Sequence, residues 1–137
     1  MKVREVMTPY PITLASDEPV MKAAQAMREN DIGNVVVRHD GKLCGIVTDR
    51  DIVVRVLAAG KDPQSTTLDA VCSHDMLTLS PDQDTSDAIR LMRERAIRRL
   101  PVVENNNLLG IVSLGDLAVA LDPHSTLSDI SVASPSH

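Results

Sequence analysis

Aromatic residues are almost absent from this sequence: Tyr10 is the single one, and there is no Phe or Trp. Any hydrophobic core must therefore be aliphatic. No run of 18 apolar residues occurs, which argues against a membrane span. Residues 1–5 lack the apolar core of a signal peptide, so export is not expected. The two cysteines, Cys44 and Cys72, form no CxxC pair. Cys44 lies in an apolar stretch, where we expect a buried, inert thiol, and this pattern favours a reducing, cytoplasmic location.

The net charge and the positions of the histidines argue against further classes of function. A formal net charge of −5 over 137 residues argues against nucleic-acid binding and against binding to an anionic membrane surface. The four histidines, His39, His74, His124 and His137, do not cluster at metal-ligand spacing, so the sequence predicts no metal site.

The chain contains an internal repeat, which organises everything else. Gly110 follows Gly45 by 65 positions, and at this shift residues 6–56 align with residues 71–121 without a gap. Gly45-Ile46-Val47 aligns with Gly110-Ile111-Val112, and Asp51 aligns with Asp116. An alignment that keeps the same shift from residue 6 to residue 56 indicates an internal duplication.

Each copy reads as the same series of elements. For the first copy we predict a helical turn (3–7), a strand (12–14), a helix capped by Asp17, a strand (35–37), a turn at Asp40-Gly41, a strand (43–47) and a helix (51–59) ended by Gly60. For the second we predict a turn (68–72), a strand (77–79), a helix (84–95), a strand (100–103), a turn at 105–107, a strand (108–112) and a helix (114–121).

These patterns predict domain 1 over residues 1–60, a linker over 61–67 and domain 2 over 68–122. The polar tail, 123–137, has one candidate short helix around 127–130. The fold class is α+β. A copy of about sixty residues is marginal alone, so we expect two βαββα repeats, related by a pseudo-twofold, in one globular module with two equivalent clefts.

The repeated pattern resembles a known family. The opening Val6-Met7-Thr8-Pro9, the βαββα order and the Gly-Ile-Val-Thr/Ser-x-x-Asp turn resemble tandem cystathionine-β-synthase (CBS) domains, a pair of which is called a Bateman module. The stretch 98–103 with 110–117 also resembles the γ subunit of AMP-activated protein kinase. The resemblance covers residues 1 to about 122.

The resemblance implies a regulatory module, not an enzyme. It implies binding of an adenosine derivative (AMP, ADP, ATP, S-adenosylmethionine or NAD) in clefts between the copies, and homodimerisation. No fused effector domain is evident, so we expect the module to signal in trans to an unidentified protein partner.

The chemistry of such a site can be stated for single residues. A carboxylate suits a ribose diol, while hydroxyl and amide donors at a helix N-terminus suit a phosphate. Carried over from the family, cleft A comprises Ser113, Asp116, Arg99, Tyr10, Ile12, Ile32 and Gly33. Cleft B comprises Thr48, Asp51, Leu77, Ile97 and Arg98. Arg99 is the predicted phosphate contact, and the aligned Gly33-Asn34 carries no charge, so the two clefts should differ.

Other interpretations stay open. Ser/Thr-x-x-Asp is also a capping box, which stabilises a helix start without any ligand. The cluster Arg90, Arg93 and Arg95 is a solvated helix face, partly paired with Asp87 and Glu94. The alternative function is a ligand-free structural protein that uses the fold for dimerisation and partner binding. A hydrolase is disfavoured because no nucleophile–base pair is evident, and Cys72 and His74 lack an orienting third group. We therefore predict no catalytic residues.

Overall fold

The computed structural model describes residues 1–72, 76–122, 124 and 126–133, with only the backbone of residues 127 and 128. These residues form an α+β fold, as predicted. The elements in chain order are α1 (Val3–Val6), β1 (Thr8–Pro9), β2 (Thr13–Ala15), α2 (Val20–Asn30), β3 (Asn34–His39), β4 (Lys42–Thr48), α3 (Asp49–Ile52), a π-helix (Val53–Leu57), a 3-10 helix (Leu68–Ala70), α4 (Thr85–Arg95), β5 (Arg99–Glu104), β6 (Asn107–Ser113), α5 (Leu114–Leu121) and α6 (Thr126–Val132).

The chain divides into two compact units. Unit one is Ile12–Met76, and unit two joins Met1–Pro11 to the described residues from Leu77 onward. Unit one has a sheet in the order β2-β3-β4, in which β2 is parallel to β3 and β3 is antiparallel to β4. The sheet of unit two has the order β1-β6-β5, with antiparallel pairing throughout.

A tight turn joins the two long strands in each unit. Asp40 and Gly41 adopt φ angles of 50° and 76°. Asn105 and Asn106 adopt 51° and 65° at the aligned place. Two successive positive φ angles give a hairpin turn whose twist matches that of the strands, and Asn, Asp and Gly tolerate them best. The sequence prediction of both turns is confirmed.

The core of each unit is aliphatic, as the composition requires. The largest fully buried side chains are all Leu or Val, led by Leu68, Leu79 and Leu100. Tyr10 is 91% exposed, so the single aromatic ring contributes nothing to either core.

Several predicted element boundaries are wrong. Asp17 does not cap α2, because it lies in a turn where the Glu18 N–H donates to the Ala15 carbonyl at 3.1 Å. The helix begins at Val20, with Pro19 at its N-cap position. The helix predicted over 51–59 begins at Asp49 instead, since Thr48 is its N-cap, and continues as the π-helix.

The strand predicted over 77–79 is only an isolated bridge. Leu79 donates to the Pro101 carbonyl at 2.9 Å and accepts from the Val103 N–H at 2.8 Å, and no longer ladder forms. Within the described residues, no helix combines the length and apolarity needed to cross a bilayer.

The N-terminal segment pairs with the last strands of the chain. In unit two, β1 lies antiparallel to β6, with Thr8 opposite Ile111 and Pro9 opposite Gly110. The Arg4 guanidinium lies 2.8 Å from an Asp82 carboxylate oxygen. The first eleven residues therefore belong to the same compact unit as the second copy's sheet.

We expect acid to weaken the N-cap of α4. Hydrogen bonds from Ser86, and then the nearby N-terminal ammonium, lower the pKa of Asp84 from 3.8 to about 2. Because this folded-state pKa lies below the unfolded one, the carboxylate contributes stability above the unfolded pKa that is lost as the pH falls through about 2. Asp84→Asn keeps a capping oxygen but does not titrate. Thermal midpoints measured across this pH range should therefore fall less steeply in the variant, and equal slopes would contradict the prediction.

Candidate functional site

The same strand-to-helix turn occurs once in each unit. In unit two, Ser113 Oγ accepts from the Asp116 N–H at 3.0 Å, and Asp116 Oδ2 accepts from the Ser113 N–H at 2.9 Å. In unit one the equivalent bonds between Thr48 and Asp51 are 3.1 and 2.9 Å long. Both turns are therefore complete capping boxes, which confirms the structural interpretation of the motif. The capping hydrogen bond uses only part of the hydrogen-bond acceptor capacity of each Asp carboxylate.

Asp116 has acceptor capacity left for a ligand. Besides the Ser113 N–H, it accepts from Thr8 Oγ1, at 3.2 Å to Oδ1 and 3.3 Å to Oδ2. An ionised carboxylate offers about four lone-pair sites, so two donors leave room for about two more. A ribose diol donates two hydrogen bonds, which is the number that the Asp116 carboxylate can still accept. The sequence analysis missed Thr8, because 108 positions separate it from Asp116 and no local pattern links them.

Arg99 lies beside this turn. In the antiparallel pairing of β5 with β6, Arg99 is directly opposite Ser113, so both side chains project from the same face of the sheet. The neighbouring backbone is fixed by the Leu114 N–H, which donates to the Arg98 carbonyl at 2.9 Å. Within the described part of the chain, neither Arg98 nor Arg99 forms an ion pair; Arg98 is exposed and Arg99 is half-buried. A hydroxyl, a carboxylate and an available guanidinium thus meet at one turn.

The turn in unit one differs in charge. Asn34 is opposite Thr48, where unit two has Arg99 opposite Ser113. The Asp51 carboxylate has Arg55 Nε at 3.8 Å, one helical turn further along. The two turns therefore differ in the charged groups around them, and the difference between the two predicted clefts stays a prediction.

The remaining predicted residues are divided between the units. Tyr10, Leu77, Ile97 and Arg98 belong to unit two, together with Ser113, Asp116 and Arg99. Ile12, Ile32 and Gly33 belong to unit one, together with Thr48 and Asp51. Each predicted cleft draws on both units, so the two groupings stay predictions.

The basic cluster is largely a solvated helix face, as predicted. Arg90 lies 3.3 Å from Asp87 and 3.9 Å from Glu94, at helical spacing on α4. Exposed pairs of this kind contribute little to stability. Arg93 also lines an apolar groove of about 520 Å³ between α4 and α5 in unit two, together with Ile89 and Leu121.

A serine–histidine contact occurs in unit one, contrary to the sequence analysis. Ser16 Oγ lies 2.8 Å from His39 Nδ1, and His39 Nε2 lies 3.3 Å from an Asp40 carboxylate oxygen. However, Ser16 is only 5% exposed, and its backbone joins β3 and the 3-10 helix through bonds to Arg38 and Asp69. The contact between Ser16 and His39 therefore has a structural role.

The fold also brings the two cysteines together. Cys44 Sγ and Cys72 Sγ are 3.8 Å apart, and Cys44 is half-buried rather than buried as expected. Burial, then the neighbouring Cys44 and Asp69, raise the pKa of Cys72 to about 12. The Cys72 thiol is therefore protonated at neutral pH and is a poor nucleophile. His74, considered with Cys72 in the sequence analysis, lies outside the described residues.

Comparison with known proteins identifies the family. The CBS domain model matches residues 3–58 and 68–123, so the chain belongs to the CBS domain family and carries two CBS domains. The CBS domain-containing protein YhcV of Bacillus subtilis is 41% identical over 117 residues, which cover 85% of this chain and 83% of that protein. Hypoxic response protein 1 of Mycobacterium tuberculosis is 33% identical over 134 residues, covering 96% and 94%.

Solved structures support the same assignment. A crystal structure of Hypoxic Response Protein I with two coordinated zinc ions has a TM-score of 0.78 and 34% identity, covering 86% of this chain and 97% of that one. The CBS domain pair of MJ0100, in complex with 5′-methylthioadenosine and S-adenosylmethionine, has a TM-score of 0.81 and 25% identity, covering 91% and 98%. The protein is thus a CBS pair, which is a regulatory, nucleotide-binding fold.

Proposed function

We propose that this CBS pair binds an adenosine-containing nucleotide at the turn that opens α5 and acts as a regulatory sensor. Asp116 accepts hydrogen bonds from the ribose diol, the Ser113 hydroxyl contacts the sugar-phosphate, and Arg99 contacts the phosphate. The observation that carries the proposal is the position of Arg99 directly across the sheet from Ser113, with no ion-pair partner among the described residues. The adenosine ligands bound to MJ0100 support the ligand class.

Arg99 also separates two kinds of adenosine ligand. AMP, ADP, ATP and NAD carry phosphate, whereas 5′-methylthioadenosine and S-adenosylmethionine do not. An arginine that contacts phosphate should therefore favour the first group. The weaker site is the one predicted at Thr48 and Asp51, where no arginine lies opposite the turn.

Isothermal titration calorimetry with a matched ligand pair tests this role. Arg99→Gln should weaken AMP binding by about 10- to 100-fold, since charged hydrogen bonds contribute about 1.5–3 kcal/mol, and should leave 5′-methylthioadenosine binding nearly unchanged. Arg95→Gln, on the exposed face of α4, is the control and should affect neither ligand. Equal losses for the two ligands would show that Arg99 does not contact phosphate.

We also propose that the protein forms a homodimer and signals in trans to a protein partner. Apolar side chains that are 41–56% exposed lie on the helices of both units: Val53, Val54, Leu57, Ile89, Leu114 and Leu121. Burying them against a second copy would remove this apolar surface from water. Light scattering should give twice the mass of the chain, and a monomer at all concentrations would refute the dimer.

A ligand-free scaffold is the second candidate. It is favoured by the two capping boxes, in which Asp51 and Asp116 already serve their own helices. In that case Asp116→Ala lowers the thermal midpoint through the lost cap, and no heat of binding is seen with AMP, ADP, ATP, S-adenosylmethionine or NAD. Saturable binding to the unmodified protein by any of the five excludes it.

A further inference from the structure

Three side chains of types that can ligate a metal ion meet in unit one. Cys44 is on β4, Asp69 is in the 3-10 helix and Cys72 follows two residues after that helix ends. Cys44 Sγ lies 3.8 Å from Cys72 Sγ and 3.8 Å from Asp69 Oδ1. All three ligand atoms lie within 4.8 Å of one another. Neither the family assignment nor the sequence pattern assigns a role to this cluster.

We propose that Cys44, Asp69 and Cys72 bind a thiophilic divalent cation, with Zn²⁺ as the best fit. A thiol that is protonated in the metal-free protein releases its proton to solvent when the ion binds. Zinc binds thiolates at about 2.3 Å and carboxylate oxygens at about 2.1 Å in tetrahedral sites. Two thiolate ligands of one ion are then about 3.8 Å apart, and a thiolate and a carboxylate oxygen about 3.6 Å apart. In the structure, the distance between the two sulfur atoms and the distance from Cys44 Sγ to Asp69 Oδ1 are both 3.8 Å. The side chains are therefore spaced for an ion before one binds.

The spacing fits an ion better than a disulfide. A disulfide requires the two sulfur atoms to approach to about 2.05 Å, whereas they lie 3.8 Å apart. A metal ion needs no such movement, and it also uses the Asp69 carboxylate, which has no role in a disulfide.

The backbone holds the three ligands in place. The Asp69 N–H donates to the Ser16 carbonyl and the Cys72 N–H to the Leu68 carbonyl, both at 2.9 Å. Asp69 lies in the 3-10 helix, and the bond to Leu68 ties Cys72 to the start of the same helix. Since these bonds are already made, little ordering is needed when an ion arrives.

An entry path is present. Cys44 and Asp69 line an open cavity of about 590 Å³ in unit one, so an ion reaches them from solvent. A fourth ligand completes a tetrahedral zinc site. Cys72 is 4% exposed, and its sulfur lies 3.8 Å from that of Cys44.

The repeat itself provides a comparison. At the aligned positions unit two has Leu109 for Cys44, Met7 for Cys72 and Arg4 for Asp69. Leu109 and Met7 pack against the core of unit two. Apolar residues thus fill these places in the same fold, so the thiols of unit one are not required for packing. The comparison also supplies a variant expected to fold: Cys44→Leu with Cys72→Met.

Cobalt(II) is the probe, because its thiolate complexes absorb strongly in the near ultraviolet. We expect the reduced, metal-free protein to show a thiolate-to-cobalt absorption band that saturates at one equivalent per chain and disappears when Zn²⁺ is added. Zn²⁺ should also raise the thermal midpoint, because an ion bound only to the folded state stabilises it. A non-thiol reductant is kept present, so that a disulfide cannot account for a missing signal.

Two variants decide the assignment. The Cys44→Leu/Cys72→Met variant, shown to be folded by circular dichroism, should lose both the band and the thermal shift. Asp69→Asn should keep the band, which comes from the thiolates, but bind Co²⁺ more weakly. Absence of the band in the unmodified protein would overturn the proposal, as would equal Zn²⁺ affinity in the double variant. Unchanged Co²⁺ affinity in Asp69→Asn would overturn the role of the carboxylate.

Discussion

Gly110→Ala is expected to lower the free energy of unfolding by about 1–3 kcal/mol, the usual cost of inserting an extra carbon into a packed site. A Cβ at Gly110 would lie 2.7 Å from the Thr8 carbonyl oxygen and 2.9 Å from Met7 Sδ. The Thr8 carbonyl belongs to the backbone of β1, which is paired with β6, so it cannot rotate away from the added methyl group. The substitution therefore separates β1 from β6 and moves the Thr8 hydroxyl off Asp116. Urea unfolding followed by far-ultraviolet circular dichroism measures the loss, since the chain has no Trp.

Gly115→Ala is the matched control for this substitution. A Cβ there would lie 3.2 Å from Ser131 Oγ, which is the end of an exposed side chain and can rotate. Alanine is also the better helix former, by up to about 1 kcal/mol. The control should be neutral or stabilising. If Gly110→Ala proved as harmless as Gly115→Ala, the close pairing of β1 with β6 would be refuted.

Leu100→Ala is expected to cost about 2–5 kcal/mol, the largest effect predicted for a single substitution in this chain. Leu100 is 1% exposed at the centre of unit two, where it packs among Leu79, Val102 and Met92. With no aromatic ring in the core, the leucines are the largest side chains that fill it. Truncation leaves a cavity that the surrounding core side chains close only in part. A domain of ordinary stability, about 5–15 kcal/mol, would lose a large share of it.

Ile130→Ala removes similar apolar bulk from an exposed position. Ile130 is 66% exposed on α6, so its truncation should change the urea midpoint very little. Comparable losses in the two variants would mean that Leu100 is not packed as described.

The elements could be predicted from sequence where local chemistry alone decides them. Asp40-Gly41 and 105–107 specify tight turns, and the shift between the copies gives the element order twice. The predicted element boundaries were wrong where two local sequence signals competed. Asp17 has the chemistry of an N-cap, but Pro19 with its fixed φ is the residue that precedes the helix. The choice depends on the turn before it, which the pattern does not reveal.

The candidate site was predictable to the extent that it repeats a motif. Ser113-x-x-Asp116 identified the turn, and the copy alignment identified Arg99 as the charge that unit one lacks. Thr8 and the Cys44–Cys72 contact were not found, because both arise from pairing between distant segments. The repeat did contain an indirect signal for the cysteines. Cys72 aligns with Met7 and Cys44 with Leu109, and both of those residues pack against one core.

The pairing of β1 with β6 also affects the order of events during synthesis. Ile12–Met76 is one continuous stretch, so unit one is complete in the nascent chain well before unit two. At about 5–20 residues per second, the ribosome needs several seconds more to deliver the partner strand of Thr8 and Pro9. Val3 and Val6, buried in the finished protein, remain exposed during that interval. A nascent or truncated chain that ends before Ile111 therefore presents an apolar N-terminal segment to chaperones and proteases, whereas the finished chain conceals it.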